Sequence, residues 1–195
     1  MIKVHHLNNS RSHRVLWMLE ELGLPYEIVP YKRDPVTRLA PAELKLVHPL
    51  GKSPVITDGD RVVAESGTII EYLAKVPGKG RLWPADGSPN WVDHAHWMHF
   101  AEGSAMLPLM LALYTSRLGQ AAAPLLPRIE SELANHFDYM EGALADRQFF
   151  AGNEFTAADV QMSFVMEAAD GSGRLEAYPR LKDLISRYRE RPAYK

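Results

Sequence analysis

Between an extended run at residues 2–7 and the helical pattern that follows it lies Asn8-Asn9-Ser10-Arg11-Ser12. A hydroxyl at a helix start stands beside free backbone N–H groups and the positive end of the helix dipole, a setting that favours an anion. Ser10 or Ser12 could equally be a plain N-cap there. Gly51-Lys52-Ser53-Pro54-Val55 is the second segment. A proline just before an apolar run cannot donate to a sheet ladder, so Ser53-Pro54 should start an edge strand, adopt a cis bond or form an ordinary turn. A cis turn would leave the Ser53 backbone open to an extended ligand, as when a peptide adds to a sheet edge. The third segment is Glu65-Ser66, ahead of a helical run at 67–76. An acid, a hydroxyl and helix-start N–H groups suit a zwitterion, its carboxylate on the N–H groups and its ammonium on Glu65, although simple capping uses the same residues.

A fourth segment reads as structural. In Phe155-Thr156-Ala157-Ala158-Asp159, Thr156 as N-cap with Asp159 three residues on forms a variant of the capping box, with Phe155 and Val160 placed as a hydrophobic staple. His94, His96 and His99 lie in one helical run, but 94 and 96 are about 200° apart around it. No H-E-x-x-H is present, so no metal site is expected. Met106 and Met110 fit core packing or an adaptable apolar pocket, and Tyr114 follows them on the same helix.

The elements that must position these groups follow from periodicity. Residues 2–7 read as a strand, and Val15, Met18, Leu19 and Leu22 share a helix face stopped by Gly23 and Pro25. Residues 26–31 read as a strand and 42–47 as a weak short helix. Runs at 53–57 and 61–64 flank Asp58-Gly59-Asp60 as a hairpin, and 66–76 as a helix. The order is β-α-β-α-β-β-α, with parallel pairing of the early strands and an antiparallel edge from the hairpin. Prolines and glycines cluster at 78–89, which marks a linker. Beyond it the pattern is helical: 90–116 with a kink expected at Pro108, then a stripe through Leu126, Ile129, Leu133, Phe137, Met140 and Leu144, then helices near 156–168 and 178–190. The expected division is an α/β domain at 1–77, a linker at 78–89 and an all-α domain at 90–195.

Composition narrows the chemistry. The 195 residues carry 22 basic and 24 acidic side chains, a net charge of −2, which offers no electrostatic reason to bind nucleic acid. There is no cysteine, which excludes disulfides, thiolate metal sites and a cysteine nucleophile. The first residues have no apolar leader, and no stretch of about 18 apolar residues exists to span a membrane, so a cytoplasmic protein is expected.

Taken in order along the whole chain, Ser10 after the first strand, Lys52-Ser53-Pro54 before the third, Glu65-Ser66 before the third helix, the linker and the Phe155-Thr156-x-x-Asp159 box resemble a cytosolic glutathione S-transferase. The resemblance is closest to the serine-type bacterial and fungal members, which carry segments similar to residues 9–17 and 48–54. It implies a thioredoxin-like N-terminal domain that binds glutathione, and a helical C-terminal domain supplying a second-substrate pocket. Ser10 would donate a hydrogen bond to the glutathione sulfur. Lys52 would reach the glycyl carboxylate, Ser53 beside cis-Pro54 would pair through its backbone with the cysteinyl unit, and Glu65 and Ser66 would hold the γ-glutamyl end. Asn8, Asn9, Met106, Met110 and Tyr114 are the candidates for the second pocket, and Thr156 with Asp159 would be the family's structural box. Glutathione enters as co-substrate with no permanently bound cofactor, and a homodimer is expected. The implied activity is conjugation of glutathione to small electrophiles. Glutathione-dependent peroxide or disulfide reduction and a non-catalytic interaction module are the alternatives.

Overall fold

The computed structural model describes residues 1–194, which form two compact units, Met1–Ala85 joined by residues 192–194, and Asp86–Arg191. In the first, β1 (Ile2–Leu7) is a central strand with Ile2, Val4 and Leu7 buried. It pairs in parallel with β2 (Tyr26–Tyr31) and antiparallel with β3 (Val55–Asp58), and β4 (Arg61–Ala64) closes the sheet in the order β2-β1-β3-β4. The helix α1 (Ser12–Leu22) buries Val15, Trp17, Met18, Leu19 and Leu22. It ends where Gly23 turns left-handed, at φ 58°, and the Gly23 and Leu24 N–H groups return to the Glu20 and Leu19 carbonyls. A short α2 (Leu44–Val47) precedes β3, and α3 (Ser66–Lys75) follows β4 with Ile69, Ile70 and Leu73 buried. This is the mixed sheet and the βαβαββα order expected of a thioredoxin-like domain.

The Pro/Gly stretch is not a free linker throughout. Gly78 and Gly80 donate to the Leu73 and Ala74 carbonyls, the Arg81 guanidinium donates to the Leu22 carbonyl, and Lys75 lies 4.8 Å above the Trp83 ring. Residue 78 must be glycine, because a Cβ there would stand 2.6 Å from the Leu73 carbonyl oxygen. These contacts carry the first unit to residue 85 rather than 77. Residues 192–194, placed by the sequence division with the helices, also belong to the first unit: the Tyr194 ring meets Trp17 edge-on at 4.8 Å and His13 at 5.5 Å. Long-range ring packing of this kind has no local signature in sequence.

The second unit is helical. The run expected as one kinked helix is α4 (Trp91–Phe100), a π-helical turn at Ala101–Ala105 and α5 (Met106–Thr115). Pro108 has no N–H for the carbonyl four residues back, and the wider turn falls just upstream of it. After a 3₁₀ segment at Ser116–Ala122 comes α6 (Leu126–Ala143), with Ile129, Leu133, Phe137 and Met140 buried and Leu126 exposed. Most of α7 (Ala157–Gly171) is buried, and α8 (Pro179–Glu190) packs on α7 and α6 with Leu181, Leu184, Ile185 and Tyr188 buried. No helix among the described residues is long and apolar enough to cross a membrane.

Candidate active site

Ser10 sits in the turn between β1 and α1 and is buried. Its Oγ accepts from the Ser12 backbone N–H at 3.2 Å, so it does act as a local cap for the first turn. It does more than that, because three hydroxyls meet here. Ser10 Oγ is 2.8 Å from Ser12 Oγ and 3.4 Å from Ser53 Oγ. Ser12, fully buried, continues to His6 Nδ1 at 2.8 Å. Ser53 Oγ donates to the His5 carbonyl at 2.8 Å and accepts from the Leu7 N–H at 3.2 Å. The serine before the proline therefore ties its turn to the end of β1, and the Ser53–Pro54 peptide is cis. The Ser53 backbone lies outside the ladder, which begins at Val55. Burial and the neighbouring His13 hold the pKa of His6 below the ordinary histidine value, so its ring is neutral at pH 7.

Asn8 and Asn9 are held by Arg33, a residue that sequence reasoning passed over. The Arg33 backbone N–H donates to Asn8 Oδ1 at 3.0 Å, and its side chain donates to the Asn8 and Asn9 carbonyls at 3.0 and 3.1 Å. Asn9 is left-handed at φ 51°, a conformation asparagine adopts more readily than most residues. The geometry makes Asn8 a loop brace rather than a free pocket wall, since its amide oxygen is already occupied.

Lys52 is exposed one residue before Ser53. Glu65 is exposed and adopts φ 67°, ψ 118°, an uncommon conformation for a residue with a side chain. It is the N-cap residue of α3, yet no side chain caps that helix, so its leading N–H groups have no side-chain acceptor. Ser66 is buried and its Oγ accepts from the guanidinium of the fully buried Arg14, which links the start of α3 to α1. Arg14, Arg33 and His6 are the residues the sequence reading missed here, and Ser12, read there as an alternative cap, proves to be a hydrogen-bond partner of Ser10. Only the burial of an arginine on the apolar face of α1 could have flagged one of them.

In the second unit, Met106 and Met110 line a cavity of about 500 Å³ with Leu109, Leu113, Glu167 and Arg174. Tyr114 does not line it and is 58% exposed. Eight residues after Met106 it stands about 80° further round the helix, on the flank of the lining face. The box at α7 has the expected form: Thr156 Oγ1 accepts from the Ala158 N–H at 3.3 Å, and Asp159 Oδ2 accepts from the Thr156 N–H at 2.9 Å. His94 meets Thr156 Oγ1 at 3.3 Å and His96 meets the Tyr139 hydroxyl at 3.0 Å, so these two histidines serve separate side-chain contacts.

Comparison with known proteins agrees with this arrangement. Residues 1–75 match the family model of the glutathione S-transferase N-terminal domain, and residues 107–195 a C-terminal one. The chain is 37% identical to glutathione S-transferase 3 of Schizosaccharomyces pombe, over 87% of this chain and 74% of that protein. It is 33% identical to glutathione S-transferase 1 of Saccharomyces cerevisiae, over 87% and 81%. A solved glutathione S-transferase of Actinobacillus pleuropneumoniae superposes with a TM-score of 0.89 at 32% identity, covering 100% of this chain and 89% of that one. A Pseudomonas fluorescens family member, solved with two glutathione molecules bound, superposes at 0.82 and 26% identity, over 99% and 90%. Two domain matches in chain order, and relatives at this identity over most of their own length, mean that the chain belongs to the glutathione S-transferase family.

Proposed function

We propose that this enzyme binds glutathione on its first unit and conjugates the thiolate to small electrophiles, with Ser10 as the residue that contacts the sulfur. The observation that carries this reading is the meeting of the Ser10 and Ser53 hydroxyls, 3.4 Å apart, at the start of α1 in a chain of this family. Ser53 lies outside the ladder and offers its backbone to the cysteinyl unit, which would bring the thiol beside Ser10. The exposed ammonium of Lys52 suits the glycyl carboxylate. The exposed carboxylate of Glu65 and the uncapped start of α3 suit the γ-glutamyl ammonium and carboxylate.

A free thiol has a pKa near ~8.5, and the thiolate is the nucleophile. A hydroxyl donor and a helix N-terminus stabilise the anion. Lowering the pKa by about two units takes about 2.7 kcal/mol and makes thiolate the main form at neutral pH. What remains is to position the electrophile against it. Within the second unit, the cavity lined by Met106, Met110 and Leu113 is apolar with a charged edge from Glu167 and Arg174 and suits an apolar compound. The enzyme acts in the cytoplasm as a homodimer in this reading. Val76 after α3 and Trp91 and Val92 at the start of α4 are exposed apolar residues suited to a subunit contact.

Calorimetric titration with glutathione is the test. Binding in the millimolar range or tighter is expected, followed by turnover of an aryl halide in excess of hydroperoxide or mixed-disulfide turnover. Absence of binding overturns the reading, and light scattering at the mass of a single chain overturns the dimer.

A further inference from the structure

Ser12 Oγ also lies 3.4 Å from the Leu7 carbonyl, but along the two shorter contacts, both 2.8 Å, the hydroxyl cluster has two proton arrangements, and one residue chooses between them. Ser53 has a single proton, donated to the His5 carbonyl, so toward Ser10 it can only accept. If His6 carries its proton on Nε2, Ser12 donates to His6 Nδ1 and Ser10 donates to Ser12, so the Ser10 proton points inward. If His6 carries its proton on Nδ1, the chain reverses. His6 donates to Ser12, Ser12 donates to Ser10, and the Ser10 proton is released toward an external acceptor. Of these two, it is the second that lets Ser10 donate to a thiolate.

We propose that His6 and Ser12 form a relay that takes the glutathione proton through Ser10 and leaves the Ser10 hydroxyl turned toward the sulfur. The thiol S–H gives its proton to Ser10 Oγ. Ser10 passes its own to Ser12 Oγ, and Ser12 passes its own to His6 Nδ1. His6 releases its Nε2 proton to bulk water, ending neutral with the proton on Nδ1. The net change is one proton from thiol to solvent, and the thiolate acquires a hydrogen bond from Ser10. Each transfer within the protein spans 2.8 Å. The ring of His6 is only half-buried, which leaves the proton a route to solvent. The titratable group facing His6 is His13 on α1; it opposes a lasting positive charge on His6 and so favours the shuttle over storage of the proton. His6 and Ser12 are positioning residues in this scheme. It rests on the proposed contact between Ser10 and the sulfur.

The pH dependence of kcat and KM for glutathione, with ultraviolet absorbance of the bound thiolate, tests the relay on wild type, Ser12→Ala, His6→Phe and Ser10→Ala. Both relay variants should raise the apparent thiol pKa by about one unit and lower turnover at neutral pH about tenfold, with KM for glutathione unchanged. Their rates should converge on wild type above the free thiol pKa. The double variant should be no worse than either single one. A defect equal at all pH values, or wild-type profiles in both variants while Ser10→Ala is impaired, overturns the relay and leaves the Ser10 reading standing. Wild-type behaviour of Ser10→Ala overturns both. Should Ser12→Ala fail to fold, His6→Phe, at a half-buried position, decides alone.

Discussion

The Tyr188 hydroxyl donates to Asp159 Oδ1 at 3.0 Å, joining residues 29 apart in sequence and fastening α8 to the start of α7. The same carboxylate accepts from the Phe150 N–H at 3.1 Å and from the Thr156 N–H at 2.9 Å. Asp159 is therefore the knot of the helical unit as well as the second half of a capping box. Removing only the phenol hydroxyl with Tyr188→Phe should cost about 1.5–3 kcal/mol, as expected for a buried hydrogen bond to a charged group. Urea unfolding checks this. A change below the fitting error would mean that the bond contributes nothing net.

Asp159 also sets a pH dependence. Complete burial pushes its pKa up to about 6, against the hydrogen bonds from the Thr156 and Phe150 N–H groups and from the Tyr188 and Thr156 hydroxyls, which pull it down. The folded state thus holds this proton more tightly than the unfolded chain does. Its contribution to stability is greatest below the unfolded value near 4 and falls as pH rises to about 6. The stability difference between wild type and Asp159→Asn should therefore shrink by about 1–3 kcal/mol from pH 4 to 7. A flat difference in urea midpoints across that range contradicts the expectation.

Ser10→Ala should lower turnover by roughly tenfold to a hundredfold, the worth of a hydrogen bond to a charged acceptor, while calorimetric affinity for glutathione changes little. Equal loss of affinity and turnover would make Ser10 a binding residue only.

Glu65→Gln keeps the side-chain length at a backbone position of positive φ and removes the charge, so it isolates the contact with an ammonium. Affinity for glutathione should fall about tenfold, about 1.4 kcal/mol, with kcat preserved. Lys52→Ala should behave alike through the opposite charge. Unchanged KM in both would move the ends of glutathione elsewhere.

Arg33→Ala removes the side-chain donors to the Asn8, Asn9 and Arg38 carbonyls. The loop carrying Ser10 should loosen, with faster hydrogen exchange at residues 8–12 and lower turnover at little cost to global stability. Exchange unchanged from wild type would show that β1 and α1 hold the loop without it.

The order of strands and helices was legible in the sequence because apolar spacing and glycine or proline stops are local properties, and β1, β2, β4 and α3 begin where the spacing places them. The box at Thr156 and Asp159 was legible for the same reason, since its partners are three residues apart. The candidate site divides differently. Ser10, Lys52, Ser53, Glu65 and Ser66 stand out by type and by position beside an element. Their neighbours could not be read, because His6, Ser12 and Ser53 meet only when β1, α1 and the turn before β3 assemble. The clasp of Arg33 on Asn8, the link from Arg14 to Ser66 and the docking of Tyr194 on Trp17 likewise join residues 25, 52 and 177 positions apart. Residue type and spacing alone determined which side chains could do chemistry. Which of them share a proton, and in which direction it can move, was decided by the tertiary structure, because hydrogen bonds act over about 3 Å in space whatever the distance along the chain.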